Sequence, residues 1–355
     1  MMFPVTEHVA KSKRHTSFYL ACGADDAPAI IFVHGWPELS ISWRHQLPCS
    51  AGLGFHAIAP DMRGYGRSST YARHEDYALE HAVQDMLELL DALGRDRAIW
   101  VGHDWGSPVV WALASHHPER CLGVASLCVP YFAQGFTPRS FLPLIDRAVY
   151  PKAEYPLGQW DYQEFYAESF DQARAAFEAN VRNTVKALFR AGNPAAIGKP
   201  ARTATIRRDK GWFGGAGAAP DVPLDAAVLT RVDLDRYVAA LDRTGFFGPD
   251  SWYMNRERNT DYAMRAANGG KLALPVLFLH AAYDTVCETV TSRLAEPMRR
   301  DCRDLTEVTV PSGHWMAQEK PVAVNAAIAR WLAVRFPELW AVRPFETAAG
   351  AASSG

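Results

Sequence analysis

The sequence predicts an α/β fold: a mostly parallel sheet flanked by helices, interrupted by one large helical insertion. Three observations predict it. Short apolar, β-branched runs alternate with helical patterns as far as Pro130, the signature of βαβ units. The alternation then stops until about Asn268 and resumes after Pro275. Finally, a Gly-x-acid-x-Gly turn, Gly102-His103-Asp104-Trp105-Gly106, stands between a predicted strand and a predicted helix.

Residues 29–34 (AIIFVH) form an apolar run ending in a Gly-Trp-Pro turn and read as a buried strand. Residues 55–60, 98–103 (AIWVGH) and 123–129 (GVASLCV) read the same way. Between them, residues 78–93 carry Leu79, Val83, Met86, Leu87, Leu90 and Leu93 at helical spacing, stopped by Gly94. Residues 107–116 form a second helix, stopped before Pro118. Beyond Pro130 helical stretches dominate, at 162–170, 172–190 and 233–243, with a loop rich in Gly, Ala and Pro at 211–223. Strands return at 276–280 and 305–310, followed by a helix over 321–334. The expected organisation is a core of residues 1–130 and 268–346, an inserted helical cap of residues 131–267, and a disordered tail of residues 347–355, small and polar.

The chain has 355 residues, of which 48 % are hydrophobic, enough for a substantial core. Its 37 Lys and Arg balance 39 Asp and Glu, which speaks against a nucleic-acid binder. No apolar run reaches the ~18–20 residues of a membrane span. The first 18 residues hold Glu7, Lys11, Lys13 and Arg14 without an apolar stretch, so no signal peptide is expected. Six scattered cysteines form no CxxC pair or zinc spacing, which suits a reduced, cytoplasmic protein.

The chemistry centres on Asp104. A Gly-x-nucleophile-x-Gly turn after a strand forces its central residue into a strained conformation and exposes the side chain. A carboxylate there suits attack on an sp³ carbon, giving an alkyl ester, and suits acyl transfer poorly. The alternative role for Asp104 is to cap the following helix. An alkyl ester must be hydrolysed by a base-activated water. His314, in Ser312-Gly313-His314-Trp315, follows the last strand, where such sheets build their sites. Asp284, on the loop after the preceding strand, supplies the orienting acid, with Glu288 its nearest rival. The backbone N–H groups of Trp36 and Trp105 are the expected oxyanion donors. A cis bond before Pro37 fits the tight turn there.

Together, His34-Gly35-Trp36-Pro37-Glu38, Asp61-Met62-Arg63-Gly64-Tyr65-Gly66-Arg67-Ser68 and Gly102-His103-Asp104-Trp105-Gly106 resemble the soluble epoxide hydrolases of the α/β-hydrolase fold. The similarity covers nearly the whole chain, with gaps in the insertion. It implies a nucleophilic Asp and two tyrosines in the cap that hydrogen-bond the epoxide oxygen. Asp161-Tyr162-Gln163 and Trp252-Tyr253-Met254-Asn255 resemble the two tyrosine motifs, so Tyr162 and Tyr253 take that role by resemblance. A phenol is neutral at pH 7 and can protonate a developing alkoxide. Trp36 stands where the family more often has Phe, and Met254 where Arg is common. The N-terminal phosphatase domain of some members does not appear in this sequence.

The expected reaction adds water to a small apolar epoxide and requires no metal or organic cofactor. A haloalkane dehalogenase shares the fold and the Asp nucleophile, and a non-catalytic ligand receptor on this fold is the rival of another class. The natural substrate, a homodimer and a gating role for residues 211–223 stay open. Gly52-Leu53-Gly54-Phe55-His56-Ala57 fits GxGxxA but precedes a strand, so a dinucleotide site is not expected there. Arg202, Arg207, Arg208 and Lys210 read as a solvated surface.

Overall fold

The computed structural model describes residues 3–340. Its strands are β1 (Thr6–Lys11), β2 (Thr16–Cys22), β3 (Ala29–Val33), β4 (His56–Pro60), β5 (Ala98–His103), β6 (Cys121–Leu127), β7 (Leu272–Ala281) and β8 (Cys302–Val310). They form one sheet in the order β1-β2-β4-β3-β5-β6-β7-β8. β1 and β2 pair antiparallel with their neighbours, and every pairing from β4 to β8 is parallel. The central strands β3, β4 and β5 are buried along their whole length, as expected for a sheet covered on both faces. The helices Leu79–Ala92 and Gly106–His116 occupy the predicted segments.

The predicted strand over 123–129 runs instead from Cys121 to Leu127. Cys128 adopts φ 68° and turns the chain out of the sheet. β1 was not expected because its side chains are almost all exposed, leaving no apolar pattern to read.

Between Leu127 and Leu272 no strand occurs among the described residues. The helices there include Asp161–Glu178, Val181–Leu188, Arg231–Thr244, Phe247–Ser251 and Arg256–Ala263. The expected break near Asp171 falls at a kink at Ser169, whose φ of −145° and ψ of 43° are not helical. A second, unexpected break comes at Asn180, whose side chain accepts from the Asn183 N–H and starts a new helix. Arg231–Thr244 begins with a capping box between Thr230 and Asp233. Residues 211–223 contain no helix or strand. The expected tail, residues 347–355, lies outside the described residues.

One apolar cluster runs from the sheet (Ile31, Val101, Val124) into the inserted helices (Phe165, Phe177, Tyr237), so the insertion packs directly on the core. The Asp61–Ser68 motif serves this framework. Asp61 accepts from the N–H groups of Ser40 and Arg67, and Arg63 forms a buried ion pair with Asp85, Nε to Oδ2 2.6 Å. No helix among the described residues is long and apolar enough to cross a membrane.

Candidate active site

β5 ends at His103 and the helix Gly106–His116 starts three residues later, so Asp104 sits on the turn between them. Its φ is +48°, a left-handed conformation that non-glycine residues seldom adopt. The turn demands glycine at two contacts. A Cβ on Gly106 would meet the Val33 carbonyl oxygen at 2.1 Å, and one on Gly35 would meet both Asp104 Oδ1 and the Trp105 backbone N at 2.5 Å. The helix therefore packs tightly on β3, and the two loops converge on the Asp104 carboxylate.

Trp36, after β3, donates its backbone N–H to Asp104 Oδ1 at 2.7 Å. The peptide bond between Trp36 and Pro37 is cis. The Trp105 N–H lies close to the same carboxylate, its N and Oδ1 both 2.5 Å from where a Gly35 Cβ would stand, and has no acceptor among the described residues. On the opposite flank, His314 Nε2 stands 3.4 Å from Asp104 Oδ2. His314 Nδ1 is 2.7 Å from Asp284 Oδ2. Asp284 follows β7, and its Oδ1 accepts from the Val286 and Cys287 N–H groups. Glu288, the rival acid, instead accepts from the N–H groups of Val290, Thr291 and Ser292. The structure thus brings Asp104, His314, Asp284, Trp36 and Trp105 together.

Burial alone would lower the His314 pKa, but the Asp284 charge and the bonds to Asp104 and Asp284 raise it well above the ordinary histidine value. Burial would raise Asp284, yet the His314 charge and hydrogen bond, with two backbone N–H groups, hold it below the usual carboxylate range. Each member of the pair thus favours the charged form of the other.

Tyr162, on Asp161–Glu178, and Tyr253, after Phe247–Ser251, reach the same cavity from the insertion, with ring centroids 5.6 Å apart. Burial raises both phenols above the ordinary tyrosine value, so both keep their protons at neutral pH. The cavity has a volume of about 200 Å³. Asp104, His314, Tyr162 and Tyr253 supply its polar wall, and Trp36, Trp105, Phe136, Leu188, Trp212 and Val286 most of its apolar wall. Trp212 comes from the 211–223 loop.

Sequence reasoning quoted Glu38 and His103 within motifs but gave them no role. They form a buried pair, Oε2 to Nδ1 2.7 Å, and His103 Nε2 contacts the His314 carbonyl oxygen at 2.7 Å. Burial opposes both charges, and their mutual attraction prevails, raising His103 and lowering Glu38. A protonated His103 donates at both nitrogens and so anchors the backbone of His314. Their signal was the presence of an acid and a base in two motifs that only folding brings side by side. Ligand atoms of His103, Cys128 and His314 lie within 4.8 Å of one another. Both ring nitrogens of His103 are already engaged by Glu38 and the His314 carbonyl, which leaves it poorly suited to hold a metal.

The parallel sheet, the strained turn and the acid–histidine pair define an α/β hydrolase with a carboxylate at the nucleophile position. A family model for the α/β hydrolase fold matches residues 28–321. The chain is 33% identical over 314 residues to epoxide hydrolase A of Mycobacterium tuberculosis (strain ATCC 25618 / H37Rv), covering 87% of this chain and 92% of that protein. It is 34% identical over 313 residues to bifunctional epoxide hydrolase 2 of Sus scrofa, covering 86% of this chain and 51% of that longer protein. The crystal structure of epoxide hydrolase A from Mycobacterium thermoresistibile superposes with a TM-score of 0.74 at 30% identity, over 93% of this chain and 98% of that one. The chain belongs to the epoxide hydrolases of the α/β-hydrolase fold.

Proposed function

We propose that this protein adds water to a small apolar epoxide, giving a vicinal diol through an ester on Asp104. The observation that carries this reading is the placement of one carboxylate between a backbone N–H donor and a histidine, beneath two protonated phenols. Asp104 Oδ1 is held by the Trp36 N–H, which leaves Oδ2 to attack. Oδ2 bonds to an epoxide carbon as the ring C–O bond breaks, and Tyr162 or Tyr253 gives its proton to the departing oxygen. Esterification removes the Asp104 charge, and with it part of what holds the His314 proton, which passes to the tyrosinate left by ring opening. Neutral His314 then takes a proton from water, and the hydroxide adds to the ester carbonyl. The oxyanion forms on Oδ1, facing the Trp36 and Trp105 N–H groups. Collapse breaks the bond to Oδ2, His314 returns its proton to that oxygen, and the diol leaves. The proton left on the new carboxyl passes to His314, which restores the starting carboxylate and imidazolium. Residues 131–267 act as the cap that closes the cavity over the substrate. Six free cysteines, five of them buried, suit the cytoplasm.

This sequence of bonds has an isotopic signature. In a single turnover of styrene oxide in H2(18)O, the diol is expected to carry no label, because its new oxygen is Oδ2. The label is expected in the peptide containing Asp104, read by mass spectrometry. Label in the first-turnover diol would mean direct attack by water and overturn the ester. A 1-bromoalkane run in parallel tests the dehalogenase reading through halide release.

The pH dependence has a fixed sign. Ester hydrolysis needs neutral His314, so its rate rises with pH through the His314 pKa, which the Asp284 charge pushes upward. Asp284→Asn removes that charge, so the midpoint of this limb is expected at lower pH than in the parent protein. The single-turnover ester decay rate between about pH 5 and 10 reads the midpoint independently of the plateau height. An unmoved limb would show that Asp284 does not act on the base.

A further inference from the structure

Trp36 is held at both ends. Its backbone N–H bonds Asp104, and its indole Nε1–H donates to Asp250 Oδ1 at 2.8 Å. Asp250 lies on the inserted helix Phe247–Ser251, three residues before Tyr253, and is fully buried. The same Oδ1 accepts from the Tyr166 hydroxyl at 3.3 Å. Tyr166 in turn stacks on Tyr253, with centroids 4.5 Å apart and planes 9° from parallel. Asp250 Oδ2 is buried without a partner among the described residues. The carboxyl is absent from the cavity wall, so it touches no substrate.

We propose that Asp250 is a positioning residue: through the indole of Trp36 it fixes the backbone N–H that receives the Asp104 oxyanion, and through Tyr166 it fixes the ring against which Tyr253 rests. The inference deepens the reaction proposed above and rests on it. The aromatic neighbours of the Trp36 ring are Phe177 at 5.4 Å, Trp212 at 5.7 Å and Tyr253 itself at 6.0 Å. Such contacts restrain the plane of the ring but tolerate sliding, whereas a hydrogen bond at Nε1 sets the register. An oxyanion donor works only within a narrow range of distances, so a small shift of the Trp36 backbone weakens it. Burial pushes the Asp250 carboxyl well above the usual carboxylate range, against the pull of the Trp36 and Tyr166 bonds. Burial thus favours its neutral form, which avoids the cost of an unpaired buried charge. One carboxyl oxygen joins the oxyanion loop of the core to the tyrosine platform of the insertion.

The test reads decay of the Asp104 ester in single turnovers of styrene oxide, by rapid quenching and intact-protein mass spectrometry. This rate constant is measured on molecules that have already reacted, so a reduced folded fraction does not change it. Asp250→Asn keeps a neutral acceptor at Oδ1 and is expected to decay within about threefold of the parent protein. Asp250→Leu strands the indole N–H and is expected to decay about tenfold more slowly. The double variant Trp36→Phe, Asp250→Leu removes donor and acceptor together and is expected to recover most of that loss. Parent-like decay in Asp250→Leu would overturn the proposal. So would an Asp250→Asn as slow as the Leu variant, or a double variant no faster than Asp250→Leu. If Asp250→Leu does not fold, Trp36→Phe breaks the same bond from the other side, and the double variant must then be the faster of the two. Absence of any ester in the parent protein would instead defeat the reaction itself, so the two failures are distinct.

Discussion

His314→Ala is expected to turn the protein into a reagent that alkylates itself once and stops. Ring opening needs the Asp104 carboxylate and the phenols, none of which this substitution removes. Ester hydrolysis needs a base within reach of a water, and His314 Nε2, 3.4 Å from Asp104 Oδ2, is the group placed to serve. Its loss should slow ester decay by about 10³-fold or more, in keeping with the worth of a positioned base that acts with its partners as a unit. With excess styrene oxide, nearly every chain should then gain the mass of the whole epoxide, mapped to the peptide containing Asp104. Steady diol formation at the parent rate would remove His314 from the reaction. A chain that gains no mass and yields no diol would move Asp104 out of the nucleophile's role.

The tyrosine pair should act on the other half of the cycle. Ring opening produces an alkoxide, a poor leaving group unless protonated as it forms. Tyr162 and Tyr253 face one cavity with their rings 5.6 Å apart, and burial keeps both protonated. With either changed to Phe, the other still donates, and ester formation should fall by about 10- to 100-fold. With both changed, no phenol remains as donor, and the fall should reach about 10³-fold or more. Decay of ester already formed should stay near the parent rate, because neither hydroxyl serves the hydrolytic water in the proposed sequence. A double variant that forms ester at full rate would end the acid assignment.

Much of this was legible in the sequence because the signals were local. The strand–turn–helix around Asp104 spans only a few residues, and two glycines mark where backbones touch. The parallel strands announce themselves as apolar runs, since both faces are covered. The antiparallel β1 gives no such signal, being almost wholly exposed. The second helix break, at Asn180, escapes the sequence because apolar spacing continues across it, while the deciding event is one side chain capping the next helix. The supporting pairs were hidden for a different reason. Glu38 and His103 stand 65 positions apart, and Trp36 and Asp250 stand 214 apart. Three of these four residues stand inside quoted motifs, but nothing in the sequence joins one motif to another, and only the fold makes them partners. Asp250 reads in the sequence as a helix-end acid, yet it is fully buried and bonded to Trp36.

The strand order also divides the assembly of the site in time. β1 to β6 all pair among themselves, and they carry Trp36, Asp104 and Trp105. β7 and β8 join afterwards at one edge, on the exposed side of β6, bringing Asp284 and His314. A chain emerging from the ribosome thus completes the nucleophile's cradle well before its base has been synthesised. The roughly 140 residues of insertion made in between must be set aside until that edge closes, a topology dominated by distant pairings and therefore slow to complete. The phenols and the base therefore reach the nucleophile together, and damage confined to the C-terminal edge after the insertion has packed would leave a protein that can be alkylated but cannot recover.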